Sequence, residues 1–302
     1  MIMENKTSHQ KDGEDASRLF SQMDIWASER AGFHVPGHCG GRFFNESDCT
    51  YLIQTDTTEL SATDDFLSPQ NHIKKALDET ALIFGSAKSF FISSGSTTGI
   101  RVMLASIVEK KTHILLSRQV HLSVLTAISL LGCKYSFIEK KKEYSKRDAR
   151  LWHQPDPDEI EEAVKKDQGI TDILITSPNY YGDCALLQEI ALIAHRHHSR
   201  LLVDEAHGAH FAFTEKNFPT TALNAGADMC VQSTHKTLPA LTMASLVHVS
   251  KEAVTRERVS LLRVKYALRL FETSSPSFVI GASNYMAIKR MSQNGKDLYR
   301  KA

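Results

Sequence analysis

Cysteine pairs are missing from this sequence. Its five cysteines, Cys39, Cys49, Cys133, Cys184 and Cys230, are odd in number and include no CxxC. That argues against a disulfide framework and against a cysteine-rich zinc site, and it points to a reducing, cytoplasmic setting. An excess of either charge is missing too. Lys and Arg number 36, Asp and Glu 35, for a formal net charge of +1. There is therefore no global field to draw in nucleic acid or an anionic membrane. The one longer basic run, Lys140 to Lys142 with Lys146 and Arg147, reads as a solvated loop. No apolar run approaches the length of a membrane span, and the polar N-terminus MIMENKTSHQKDGEDASR lacks the apolar stretch of a signal peptide. Several catalytic signatures are absent as well. No Gly-Lys-Ser/Thr completes a Walker loop, no GxSxG marks a nucleophile elbow, and no HExxH offers a helical zinc pair.

What remains is an ordinary globular composition, 42% hydrophobic and 24% charged over 302 residues. A chain of this length buries a substantial core without staples. Residues 1–17 read as a frayed tail, and a short helix follows at Leu19 to Arg30. A Gly/Pro-rich loop, FHVPGHCGG, comes next. The spacing of Ile73, Leu77, Ala81 and Phe84 predicts a helix over 71–84. From there, short apolar runs alternate with helical ones. Strands are predicted at 89–93, 112–116, 134–138, 172–176, 200–204, 228–232 and 244–249. Helices are predicted between them at 98–109, 122–131, 158–166 and 186–198. This alternation predicts a doubly wound, mostly parallel sheet, whose ligands bind beyond the carboxyl ends of the strands.

Three predicted strand ends carry polar residues suited to chemistry. Ser93-Ser94-Gly95-Ser96-Thr97-Thr98-Gly99 joins a strand to a helix, where small residues and a helix N-terminus favour an anion such as phosphate. Taken alone, a Ser/Thr helix cap is the plainer reading of that stretch. Asp204 ends the strand RLLVD and is costly to bury without a cationic or hydrogen-bonding partner, such as a protonated cofactor ring nitrogen. His207 and His210 lie close behind it, but a metal reading ranks below a cofactor one. Lys236, in STHKTL, follows the strand at 228–232. Desolvation there lowers a lysine pKa and makes the amine nucleophilic toward a carbonyl. The order of the three, phosphate loop, Asp, then Lys, is what a pyridoxal phosphate site requires.

With these residues in view, the chain resembles the major domain of the Orn/Lys/Arg decarboxylase family, which are fold-type I pyridoxal-phosphate enzymes. The matching stretches are FHVPGH, DTTELSATDDFLSP, FFISSGSTTGI, SRQVHLSVLTA, ITSPNYYGD, LLVDEAHGAHF and STHKTLPALT, in order over about residues 33–280. DEAHGAHF with STHKTL separates this family from the aminotransferases that share the fold. The resemblance implies a three-layer α/β/α fold with a mostly parallel sheet of about seven strands. It implies a segment 1–50, a cofactor-binding domain 51–272, and the start of a further region at 273–302. Lys236 would hold the cofactor as a Schiff base, and Asp204 would pair with its ring nitrogen. His121 would stack on one ring face and Ala206 pack on the other. Ser96, Thr97, Ser233 and His235 would hold the phosphate, with His207 near the cofactor oxygen and the substrate carboxylate. The implied reaction is decarboxylation of lysine, arginine or ornithine, of the kind used in polyamine synthesis, by a homodimer. No metal, nucleic acid or membrane is implied.

Two departures accompany the resemblance. Cys39 stands where family members usually have lysine after the PGH of the N-terminal loop. Thr273-Ser274-Ser275-Pro276-Ser277-Phe278 matches a segment that normally leads toward a C-terminal domain, whereas this sequence stops at Ala302. Read as it stands, the sequence implies that the substrate-closing domain is missing, with a split gene, a fragment or a lost activity as the expectations, and a separate chain as one source of that domain. Two alternatives follow: a cofactor-binding but inactive fragment or split subunit, or a fold-type I aminotransferase or other pyridoxal-phosphate lyase. The acids Asp56, Glu59, Asp64 and Asp65 either face a basic substrate or form a solvated loop.

Overall fold

The computed structural model describes residues 55–60, 63–139, 154–215 and 217–301. The predicted helix at 19–30, the FHVPGHCGG loop with Cys39, and the basic run beginning at Lys140 lie outside them.

Helix α1 spans His72–Phe84, strand β1 Lys88–Ile92 and helix α2 Ser96–Ile107. Then come β2 His113–Leu116, α3 Leu122–Leu131, β3 Lys134–Phe137, α4 Pro157–Lys166, β4 Asp172–Thr176, α5 Leu187–Arg196 and β5 Arg200–Asp204. Strand β6 is Met229–Gln232, the one-turn helix α6 Thr234–Thr237, and β7 Ser245–Val249. The seven predicted strands are all present, in the order β1-β7-β6-β5-β4-β2-β3. All neighbours from β6 to β3 pair in parallel, and β7 alone runs antiparallel to β1 and β6.

The strand sequences explain the layers. Successive side chains point to opposite faces of a sheet, so a strand covered on both faces is apolar throughout. Ile114 and Leu116 of β2 pack on one face with Leu174, Leu202, Met229 and Val231, against α2 and α3. Leu115, Ile173, Ile175, Leu201, Val203 and Cys230 pack on the other, against α4 and α5. Sheet and two helical layers make the three-layer α/β/α fold. Strand β3, KYSF, is the exposed edge and the least apolar of the set.

Element boundaries follow local chemistry. Pro157 opens α4 behind an Asp156–Glu159 capping box. Helix α5 stops two residues short of the predicted end because His198 adopts a positive φ of 58° and Ser199 N–H returns to the Ala194 carbonyl. Helix α2 begins at Ser96, two residues earlier than predicted, so the polar loop forms its first turn. Beyond β7 the chain adds three helices past the predicted alternation: α7 Lys251–Thr255, α8 Leu261–Phe271 and α9 Phe278–Lys301. Phe278, Tyr285, Ile288 and Met291 of α9 join a third core cluster with Ile73, Phe91, Phe213 and Leu246.

The amino ends of the strands are pinned by buried ion pairs. Arg200 grips Asp172 through two hydrogen bonds of 2.6 and 3.1 Å, and Arg258 meets Asp228 at 2.6 Å. Both carboxylates are fully buried, so losing either arginine strands a charge. The acidic stretch serves the fold as well. Asp64, buried and at φ 71°, accepts from the N–H groups of Gln70, Asn71 and Ile73 at the start of α1. Burial works to raise its pKa, but the backbone donors together hold it below the usual range. Asp65 accepts from the N–H groups of Leu67 and Ser68. Asp64 and Asp65 thus cap the turn that leads into the first helix.

Candidate active site

Five segments converge at the carboxyl end of the sheet: Ser93–Thr97 after β1, Ser117–His121 after β2, Thr176–Asn179 after β4, Asp204–His207 after β5, and Ser233–Lys236 after β6. Every sequence-predicted site residue lies on four of them. Helix α2 reaches this end because Gly99 lets its first turn lie flat on the sheet. A Cβ there would come within 2.8 Å of Val231 and 3.4 Å of Val247.

Lys236 and His207 touch, with Nζ 3.1 Å from Nε2. Burial, and then the positive charges of Lys236, His121 and His235, lower the His207 pKa. The ring is therefore neutral at neutral pH, and its Nε2 accepts from the ammonium. Asp204 is 3% exposed and accepts one hydrogen bond, from the Ala206 N–H at 3.2 Å. Burial raises its pKa, opposed by that N–H and by the charges of Lys236 and His121. The amine and the carboxylate thus share one electrostatic neighbourhood. His121 is the exposed N-cap of α3, and its Nδ1 accepts from the Ser123 N–H at 3.2 Å. Ala206 is buried. His235 donates from Nδ1 to the Ala244 carbonyl at 2.9 Å, which leaves Nε2 available.

Of the residues expected to hold an anion, Ser233 has unmet hydrogen-bonding capacity. The Ser233 hydroxyl is fully buried with no partner. Ser96 and Thr97 occupy the first turn of α2, whose N-cap, Gly95, offers no side-chain bond. The Ser/Thr cap reading of this stretch is therefore not realised. A phosphate accepts from such donors, and a protonated ring nitrogen is the partner a buried, under-satisfied carboxylate lacks. The residues present fit pyridoxal phosphate on both counts.

One expectation is corrected. Lys236 is exposed rather than desolvated, because α6 is a single turn at the open end of the sheet. His210 leaves the site altogether and packs among Phe211, Phe218 and Tyr299. Sequence reasoning also passed over several groups. The Thr176 and Ser117 hydroxyls are buried without partners at the ends of β4 and β2. Asn179 reaches Gln119 at 2.7 Å, tying two of the loops together. Small hydroxyls directly behind apolar strands were the available signal for the first two. Glu205 points the opposite way from Asp204. It accepts from Ala222 N–H and Gln232 Nε2, both at 2.7 Å, and burial pushes it up to about 7. A cavity of about 280 Å³ lies on that side, lined by Ser177, Cys184, Glu205 and Phe211, and contains none of the predicted site residues.

The sequence pattern of the family described as "Orn/Lys/Arg decarboxylase, major domain" matches residues 19–302. The chain belongs to this family. It is 40% identical over 258 residues to the uncharacterized protein YaaO of Bacillus subtilis (strain 168), covering 83% of this chain and 51% of that protein. It is 32% identical over 272 residues to the arginine decarboxylase of Bacillus anthracis, covering 88% of this chain and 53% of the relative. The chain thus spans about half the length of these curated relatives. The solved lysine decarboxylase A from Pseudomonas aeruginosa superposes with a TM-score of 0.75 at 21% identity, over 95% of this chain and 41% of that one. That likeness carries the fold: a fold-type I, mostly parallel seven-stranded core.

Proposed function

We propose that this member of the family binds pyridoxal phosphate through Lys236 and decarboxylates a basic amino acid, lysine, arginine or ornithine, to the corresponding amine. The observation that carries the reading is the Lys236–His207 contact beside a buried Asp204 at the mouth of a parallel sheet. Relatives named arginine decarboxylase and lysine decarboxylase support the substrate class.

When bound, the cofactor supplies a cationic ring that accepts the electron pair freed as the bond between Cα and the carboxylate breaks. The chain's own residues make that possible. Asp204 keeps the ring nitrogen protonated, since a buried carboxylate gains most from an adjacent positive charge. Ser96, Thr97 and Ser233 would donate to the phosphate and, with His235 beside them, fix the ring's position. His121 and Ala206 would lie against the two ring faces. The Lys236 amine would hold the cofactor. Lys236 and His207, 3.1 Å apart, hold the proton that Cα receives.

The proposal includes a reducing, cytoplasmic setting for the chain, whose described cysteines are unpaired. Among the described residues no helix is long and apolar enough to cross a membrane. It also includes a homodimer, which would cover exposed apolar residues around the site such as Leu122, Tyr180, Tyr181 and Met243. Residues 51–272 would form the cofactor-binding domain, with 1–50 and 273–302 as flanking segments. A second reading, a cofactor-binding but inactive unit, parts from the first at the release of carbon dioxide. The test is release of labelled carbon dioxide from carboxyl-labelled lysine, arginine and ornithine by purified chain with added cofactor. Release from at least one is expected. Cofactor uptake without release from any of the three would leave the second reading standing and reject decarboxylation by this chain.

A further inference from the structure

Glu272 lies 178 residues from the loop that follows β1 yet is built into it. It is the C-cap of α8 and is 7% exposed. Its Oε1 accepts from the Ser93 N–H at 3.2 Å and from the Ser93 hydroxyl at 2.6 Å. Its Oε2 accepts from the Ser94 hydroxyl at 2.5 Å. Three donors on two consecutive residues converge on one carboxylate, and charge-assisted bonds of this kind are the strong ones. The next residue, Gly95, has φ 87°, and Ser96 then opens α2. Helix α8 packs closely along α2, so the carboxylate is anchored to the same helix pair that carries the loop.

We propose that Glu272 is a positioning residue for the phosphate loop. It fixes Ser93 and Ser94 so that Gly95 turns the chain at the point where the N–H groups of Ser96 and Thr97 face the anion. It also takes both serine hydroxyls as its own donors, which leaves Ser96, Thr97 and Ser233 to make the phosphate contacts. A carboxylate in this place is unexpected on charge alone, because like charge beside an anion site opposes binding. The two effects have opposite signs. If charge dominates, neutralising Glu272 tightens the phosphate. If positioning dominates, the same change weakens it.

This inference rests on the pyridoxal phosphate reading above, and the test separates the two. Binding of pyridoxal phosphate and of pyridoxal, which has no phosphate, is titrated by visible absorbance for wild type and Glu272→Gln. Thermal unfolding of the cofactor-free proteins is measured alongside. The expected result is about tenfold weaker binding of pyridoxal phosphate, with pyridoxal binding changed less than twofold. Ser94→Ala, which removes one donor and leaves the carboxylate, is expected to weaken pyridoxal phosphate in the same selective way, about threefold. It stands in if the Gln variant does not fold. Unchanged or tighter binding of pyridoxal phosphate would overturn the inference, as would equal weakening of both ligands, which marks a merely structural role. Wild-type chain that takes up neither ligand would overturn the cofactor reading itself, and this inference with it.

Discussion

At the scale of single residues, the account turns on Asp204. It is buried, it accepts one backbone hydrogen bond, and Lys236 and His121 are the groups whose positive charge would offset its own. Such a group waits for a cationic partner. Asp204→Asn keeps the shape and removes the charge. Carbon dioxide release should fall by at least about 100-fold, the scale seen when a preorganised electrostatic partner is removed. Lys236 should remain modifiable, because attachment does not need the carboxylate. Activity retained within a few-fold, measured as kcat at saturating cofactor, would contradict the role given to Asp204. Residues such as Asp204 and Lys236 were legible in sequence because each sits just behind an apolar run, where the fold leaves side chains at the sheet mouth. Glu272 was not legible, since its partners Ser93 and Ser94 are far away in the chain and only α8 brings them together. The exposure of Lys236 was equally hidden, because it depends on how short α6 is.

At the scale of elements, a buried polar chain joins β6, β7 and β1. Gln232 Nε2 donates to Glu205, and Gln232 Oε1 accepts from His248 Nε2 at 3.2 Å. His248 Nδ1 then accepts from the Ser89 hydroxyl at 2.7 Å, which itself meets Ser86 at 2.8 Å. Each neighbour fixes the next one's direction, so His248 is a neutral Nε2–H tautomer. Burial pushes its pKa down to about 3. The unfolded ring titrates near 6.5, so the fold's preference for neutral His248 is complete above that pH and is lost as pH falls toward 3. Between pH 6 and 4 this amounts to about 1.4 kcal/mol of stability per pH unit. His248→Gln should flatten urea-midpoint profiles over that range, and an unaltered slope would speak against the assignment. Gly99 makes a second test. Gly99→Ala places a methyl group 2.8 Å from Val231, and should cost about 1–3 kcal/mol by overpacking. Adding Val231→Ala should recover part of that loss in equilibrium unfolding. No recovery would mean that α2 does not meet the sheet there. The apolar alternation predicted all seven strands; those buried on both faces read as continuous hydrophobic runs, and the edge strand β3 was read from its place in the alternation. The reversed direction of β7 was not predictable from its own sequence, since direction is set by the connection through 233–244 and not by SLVHV.

At the scale of the whole molecule, ion pairs close the amino ends of the strands while their carboxyl ends stay open and hydroxyl-rich. Arg200–Asp172 and Arg258–Asp228 hold one end. Unpartnered Ser117, Thr176 and Ser233 hydroxyls line the other. That polarity leaves one end pinned and the other open to polar ligands. Helix α9 ties the two ideas together. Its Asn284 donates to the Ser245 carbonyl at 2.9 Å, and its Tyr299 hydroxyl donates to the Thr237 carbonyl beside Lys236. The loop that carries Lys236 is thus held by the last helix as well as by the sheet. The most direct test of this arrangement is chemical. Purified chain is mixed with pyridoxal phosphate, reduced with borohydride and digested, and the modified peptide is sequenced by mass spectrometry. The pyridoxyl mass should fall on Lys236 alone and vanish in Lys236→Ala. A pyridoxyl group on any other lysine, or on none, would contradict the account.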